Sequence, residues 1–302
     1  MSPWSDDWLV EGIYVGVGTR EIAVGPGSRR WMRPRNETSA AEPRTVTMPD
    51  EQRFTEIGVF DALRTALEPA PDDDATPAKR APSRARSAHI VLDDFWGNHA
   101  ILRGAFRTLR AREIDEIARA HFVDTYGVDA EAIDVRVCVQ RAGRSAFASA
   151  LPRTLVDGIP EAGTSAGVSV RALKLCLPEM FNRALDETLQ STAMLIFAAD
   201  ELLQAVLIEA GHWAGYDAQR LFSGDACDPQ QIAALAEQAF DRCAERTSAK
   251  RDECELGLYG FDIDPAPLEA RFGRVTPLAS PVRKMDGETG ESFACRLLEY
   301  AQ

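Results

Sequence analysis

Apolar and polar positions along the chain fall into two periods, two and about 3.6 residues, and the same succession of periods occurs twice. Residues 10–17 alternate and are rich in Val, Ile and Tyr, which predicts a strand. Thr19-Arg20 makes a tight turn, and Glu21-Ile22-Ala23-Val24 predicts the returning strand. After the turn at Gly25-Pro26-Gly27, a third antiparallel strand is expected over Arg29 to Arg33. Asp50 offers an N-cap, and Phe54, Ile57, Phe60, Leu63 and Leu67 then form a stripe at helical spacing, ended by Pro69.

The second half repeats this plan. Val168 to Leu175 reads as a strand, and Pro178 opens a helix through Met180, Phe181, Leu185 and Leu189. Ala193 to Ala198, Leu202 to Ile208 and Trp213 to Leu221 predict another three-strand meander, with turns at Asp200-Glu201 and Gly211. Asp228-Pro229 caps a long helix carrying Ile232, Leu235, Ala236, Ala239, Phe240 and Cys243. A strand at Glu253 to Tyr259, a short helix at Pro265 to Phe272 and a last strand at Val275 to Leu278 complete it.

Between the halves, short strands are expected at His89 to Leu92 and at Ala100 to Phe106. Arg112 to Tyr126 predicts an amphipathic helix with Ile114, Ile117, Ala118, Phe122 and Thr125 on its apolar side and Gly127 as C-cap. Strands at Ile133 to Val139 and Ser145 to Leu151 and a helix at Arg153 to Ala162 follow. Residues 69–87, rich in Pro, Ala, Asp and Arg, hold too little apolar surface to order themselves and predict a flexible excursion inside a fold. The end of the chain carries Phe293, Leu297, Leu298 and Tyr300, a short amphipathic helix expected to dock on the body or on a partner.

Composition narrows the class. The 302 residues, 45% hydrophobic and 27% charged, suit a globular protein. No stretch reaches the roughly 18 apolar residues that span a bilayer, and the acidic N-terminus lacks the features of a signal peptide, so the expected place is the cytoplasm. A net charge of -13 argues against nucleic acid as the main partner. Two basic clusters stand out against it: Arg29, Arg30, Arg33, Arg35 and Arg44, and then Lys79, Arg80, Arg84 and Arg86. They read as solvated loops, or as a face turned towards anionic lipid or an acidic protein.

Six cysteines without CxxC spacing read as buried free thiols, and with four scattered histidines no metal site emerges. Gly163-Thr164-Ser165-Ala166-Gly167 matches G-x-S-x-G, but a nucleophile elbow needs a strand before it and a helix after it. Here the order is reversed, which predicts a loop. Gly16 and Gly18 begin something like a dinucleotide fingerprint, but Glu21 and a returning strand take the place of the last glycine and the helix.

The hairpin Tyr14-Val15-Gly16-Val17-Gly18-Thr19-Arg20-Glu21-Ile22-Ala23-Val24 is similar to the first phosphate hairpin of actin-like ATPases and sugar kinases. The run Pro178 to Arg183, with Met194 to Ala198 and Leu202 to Gly211, resembles their second lobe. The chain also resembles the actin-like assembly proteins of type IV pili and the cytoplasmic domain of the L protein of type II secretion. The resemblance implies an α/β actin-like ATPase fold with two ribonuclease-H-like lobes, each a five-stranded mixed sheet flanked by helices. The first lobe is expected over 8–165, with the insert 69–87 and a small subdomain at about 100–150, the second over 166–285, and a tail over 286–302.

The same resemblance implies an assembly platform at the inner face of the inner membrane. There it would bind a cytoplasmic segment of a membrane-anchored partner and communicate with the assembly ATPase. Active members carry an acidic residue in the first hairpin, where this chain has Gly16, while Gly18 and Thr19 are retained as a degenerate phosphate hairpin. The second hairpin reads Phe197-Ala198-Ala199, with Asp200 too late. Without these carboxylates the chain is poorly equipped to position Mg²⁺ for phosphoryl transfer. The expectation is therefore a pseudo-ATPase scaffold with no catalytic or metal residues and no cofactor beyond residual ATP binding. The alternative is an active ATP-dependent enzyme with displaced ligands at Asp200 or Asp93.

Overall fold

The structure, a computed structural model, describes residues 11–26, 43–68, 86–184, 192–199, 201–222, 224–261, 263–278 and 292–301. Contacts divide the chain into two compact units, 1–93 with 154–174 and 292–302, and 94–153 with 175–291. The continuous division expected from sequence placed 166–174 with the second lobe, 94–153 with the first, and 292–302 in a tail.

In the first unit, β1 (Glu11–Val17), β2 (Glu21–Pro26), β3 (Arg44–Thr47), β4 (Arg86–Leu92) and β8 (Val168–Leu175) form one sheet in the order β3-β2-β1-β4-β8. β1 pairs antiparallel with β2 and parallel with β4. The third strand of the meander is Arg44–Thr47; the expected one at Arg29 to Arg33 lies outside the described residues. Nearly all of the excursion 69–87 lies outside them too, but Arg86 and Ser87 are not part of a loop. They open β4 and pair with Glu11 and Gly12.

Helix α1 (Glu56–Leu67) begins later than Asp50 predicts. Residues 50–52 form a separate 3-10 turn, Phe54 takes a left-handed backbone (φ 60), and Thr55 is the N-cap, its Oγ1 accepting from the Gly58 N–H at 3.1 Å. Two arginines of the basic clusters cap the other end. Arg44 donates to the Thr65 and Glu68 carbonyls and Arg86 to the Leu67 carbonyl, where a helix leaves its last acceptors unmet. Helix α3 (Arg153–Ser165) packs near α1, with Gly158 against the Phe60 ring.

The C-terminal helix α7 (Phe293–Ala301) docks on β1, β2 and β4, burying Phe293, Ala294, Leu297 and Leu298. A Phe or Leu side chain contributes roughly 1.5–3 kcal/mol when fully buried. The amphipathic tail is thus part of the body.

The second unit repeats the strand order. β9 (Ala193–Ala198), β10 (Leu202–Glu209), β11 (His212–Arg220), β12 (Glu255–Tyr259) and β13 (Arg274–Leu278) lie as β11-β10-β9-β12-β13, an antiparallel meander continued by two parallel strands. Helix α5 (Pro229–Ala244), capped by Asp228, buries Ile232, Ala236, Ala239 and Phe240 against this sheet. Met194, Ile196, Leu203, Ala205, Leu207 and Leu256 complete the same core from the strands. Helix α4 (Cys176–Ala184) starts two residues before Pro178, and α6 (Ala266–Glu269) is shorter than expected.

A small antiparallel sheet, β5-β7-β6, belongs to the same unit: β5 (Asn98–Arg103), β6 (Ile133–Val139) and β7 (Ser145–Pro152). Helix α2 (Ala111–Tyr126) packs on it through Ile114, Ala118 and Phe122, positions i, i+4 and i+8, and ends at Gly127 in the left-handed conformation. Ile117 and Thr125, expected on the buried side, are exposed. The buried arc of α2 is narrower than the apolar arc of its sequence.

Candidate functional site

In the first hairpin, β1 turns one row of side chains, Ile13, Val15 and Val17, into the core and the other row, Tyr14 and Gly16, towards α7. A β-carbon on Gly16 would collide with the Ala294 carbonyl oxygen and the Leu297 β-carbon. One on Gly25 would lie 3.2 Å from Leu298 Cδ1, and one on Gly18 would lie 3.6 Å from the Ala294 β-carbon. With Ala23, these glycines form the shallow bed in which α7 rests. The Gly18 N–H donates to the Glu21 carbonyl at 3.0 Å, closing the turn, and Thr19 is fully buried. Close helix packing thus explains Gly16 and Gly25 without reference to a phosphate.

The second hairpin closes in a similar way, with the Ala199 N–H donating to the Leu202 carbonyl at 2.9 Å. Asp200 lies outside the described residues. Asp93, at the end of β4, is fully buried, and its N–H donates to the Val17 carbonyl at 2.8 Å. Ser165, in the G-x-S-x-G match, ends α3 and donates from Oγ to the Glu161 carbonyl at 2.9 Å, so it forms part of a helix end and not an elbow.

The second unit contains a polar cluster that no motif announced. Asp94, 1% exposed, accepts at Oδ1 from the Leu177 N–H (3.0 Å) and lies 2.8 Å from His99 Nε2; its Oδ2 accepts from Gln204 Nε2 at 3.0 Å. Gln204 Oε1 accepts from the Tyr216 hydroxyl at 2.9 Å, and His99 Nδ1 lies 2.8 Å from Ser149 Oγ. The network ties β5, β7, β10, β11 and the start of α4 together. Burial and the Asp94 charge push the Tyr216 phenol well above its ordinary value, so it remains a donor.

The serine–histidine–aspartate order within this cluster is not an exposed nucleophile. The His99 side chain is wholly buried and packs between Phe147 and Tyr216, 5.4 and 5.6 Å away. The arrangement holds the small sheet against the larger one. Only the Asp93-Asp94 doublet after an apolar strand gave any sequence signal of it.

Beside this network lies a cavity of about 1300 Å³, lined on one side by α2 and β5 and on the other by β11 and α5. Ile117, Ala120, His121, Asp124 and Thr125 face it from α2, a stripe at i, i+3, i+4, i+7 and i+8 that the sheet leaves uncovered. Ile117 and Tyr126 are each 44% exposed. Across from them, Arg242 makes two 2.7 Å hydrogen bonds to the Asp217 carboxylate, which raise its pKa further. Arg103 and Arg246 are joined by a hydrogen bond from the Arg103 guanidinium to the Arg246 carbonyl, and Arg220 stands over the Phe95 ring at 5.6 Å.

The twofold strand order defines the class: the chain has the actin-like ATPase fold, with two ribonuclease-H-like lobes. A protein of Bacteroides thetaiotaomicron VPI-5482 with this fold and unknown function matches at a TM-score of 0.56 and 9% identity, over 99% of both chains. The PilM–PilN type IV pilus biogenesis complex contains a chain matching at 0.54 and 14% identity, over 97% of this chain and 99% of that one. The cytoplasmic domain of EpsL, an inner membrane component of the type II secretion system of Vibrio cholerae, matches at 0.49 and 10% identity, over 96% and 94%. No family model matches the chain. No curated protein matches it either.

Proposed function

We propose that this chain is a non-catalytic actin-like scaffold of a type IV pilus or type II secretion assembly platform, binding a membrane-anchored partner from the cytoplasmic side. The observation that carries the reading is the first hairpin. At Gly16, where active members hold the metal-positioning carboxylate, α7 presses on the bare Cα, and no side chain fits without displacing that helix. Phosphoryl transfer depends on positioned metal and positive charge, and position 16 supplies no carboxylate to hold the metal. Gly16, Gly18 and Thr19 remain as the degenerate phosphate hairpin, in which any residual ATP binding would rest on backbone donors. The fold likeness to a pilus biogenesis complex directs the reading towards assembly. Among the described residues no helix is long and apolar enough to cross a membrane.

The rival is an active ATP-dependent enzyme of the actin and sugar-kinase class. Asp93 favours it by position, as a carboxylate at the end of β4 whose N–H donates to the Val17 carbonyl beside the first hairpin. Calorimetry with ATP and Mg²⁺ separates the two. The scaffold reading expects no metal-dependent binding and no turnover; tight Mg²⁺-dependent binding lost on Asp93→Asn would establish the rival. Co-purification with inner-membrane pilus or secretion proteins tests the scaffold directly.

A further inference from the structure

We infer that the outer edge of β6 is a self-association surface, on which two copies of this chain pair their β6 strands antiparallel about Val135 and join their small sheets into one. β6 is the outer strand of the order β5-β7-β6, with β7 along one side and α2 across one face. Its register with β7 shows which backbone groups remain outside the sheet. The Gln140 N–H donates to the Ser145 carbonyl, so Gln140 and, by alternation, Cys138, Arg136 and Asp134 turn their backbone groups towards β7. Ile133, Val135, Val137 and Val139 turn theirs outward. The Ile133 carbonyl agrees with this: it accepts from Arg119 Nη1 at 2.6 Å, and its opposite residue in β7 is Pro152, which has no N–H to offer. Among the described residues no other element supplies partners to the N–H and C=O groups of Val135, Val137 and Val139.

An exposed edge is a template for a further strand, and proteins that avoid such pairing place Pro, Lys, a bulge or a very short strand there. β6 is seven residues long, Ile-Asp-Val-Arg-Val-Cys-Val, in unbroken register with β7 and with neither Pro nor Lys. By contrast, the outer strand β3 has four residues, and the outer strand β13 carries Pro277.

Charge names a second copy as the occupant. Asp134 and Arg136 lie on the face away from α2, 3.2 Å apart, and the Arg136 side chain is 83% exposed, with guanidinium N–H groups to spare. In an antiparallel pair centred on Val135, each copy's Asp134 stands opposite the other's Arg136, at the non-hydrogen-bonded positions where side chains lie closest. On the other face Val135 meets its own counterpart and Ile133 meets Val137, which extends the apolar layer beneath α2. Sliding the strands by two residues in either direction sets Arg136 against Arg136 or Asp134 against Asp134, and like charges directly opposite one another are destabilising. One register is therefore self-complementary and its neighbours are not. A single added strand pair is a small interface, so the dimer should be weak and reversible.

Sedimentation velocity of the full chain, from about 1 to 200 µM, should show a monomer–dimer equilibrium. Arg136→Glu and Asp134→Lys each set like charges opposite one another and should each weaken the dimer about ten-fold or more. Mixed in equal amounts, the two variants should associate with each other, because every altered charge then faces its opposite. Lys250→Glu, the same change of charge at an exposed pair with Glu253, should leave the equilibrium unaltered. Val137→Pro removes an N–H that the chain's own sheet does not use, so thermal melts should show a folded protein that no longer dimerises. Where that variant does not fold, the mixing experiment decides. A chain that stays monomeric throughout, a dimer indifferent to Arg136→Glu, variants that fail to associate when mixed, or a folded Val137→Pro variant that still dimerises overturns the assignment.

Discussion

The bare Cα of Gly16 in β1 rests against the Ala294 carbonyl of α7, more closely than any β-carbon permits. Gly16→Ala should therefore lift α7 from the sheet. A cost of about 1–3 kcal/mol is expected, as for overpacking a well-filled core, read as a lowered urea midpoint. Limited proteolysis should cut ahead of α7 sooner in the variant. Gly25→Ala, facing only the far end of the Leu298 side chain, should cost less.

Asp94 and Gln204, 110 residues apart, meet in a buried hydrogen bond of 3.0 Å. Asp94→Ala strands the Leu177 N–H and the Gln204 amide and should cost about 3 kcal/mol or more, the range for breaking buried charged networks. Asp94→Asn keeps an acceptor for Leu177, and a flip of the Gln204 amide would satisfy both new contacts, since the Tyr216 hydroxyl can accept as well as donate. Its loss should be clearly smaller. Equal losses in chemical denaturation would count against the network as described.

Burial pushes the Cys243 and Cys254 thiols up to about 12. The folded pKa lies above the unfolded one, so between pH 9 and 12 the unfolded state has lost protons that the folded state keeps. Stability should then fall as pH rises, by about 1.4 kcal/mol per pH unit for each thiol. Urea midpoints at pH 8, 9.5 and 10.5 measure it, and Cys243→Ala should flatten the slope. Near pH 8 a thiol reagent should modify exposed Cys138 and Cys227 at once and leave Cys243 and Cys254 until unfolding.

Ser165→Ala removes only a hydroxyl that back-bonds within α3. Stability should change by no more than about 0.5 kcal/mol, as for ordinary surface substitutions. Loss of an esterase activity in this variant would contradict the helix-end assignment.

The local alternation of Ile13, Val15 and Val17 and the run Ala193 to Ala198 were enough to place their strands, because period two and turn residues are local properties. The repeat of meander, helix and strand made the duplicated fold legible for the same reason. Other features depended on neighbours distant in sequence. The α1 start moved to Thr55 because Phe54 takes a left-handed turn, which no apolar stripe records.

The amino-acid sequence by itself determined the order of elements, the glycines of the first hairpin and the apolar face of the last helix. Tertiary structure alone decided that α7 lies on the glycine hairpin, that Ile117 faces an open groove and that Asp94 gathers partners from β5, α4 and β10. The physical reason is that periodicity reports which face of an element is apolar, whereas the surface covering that face is set by packing between segments up to hundreds of residues apart.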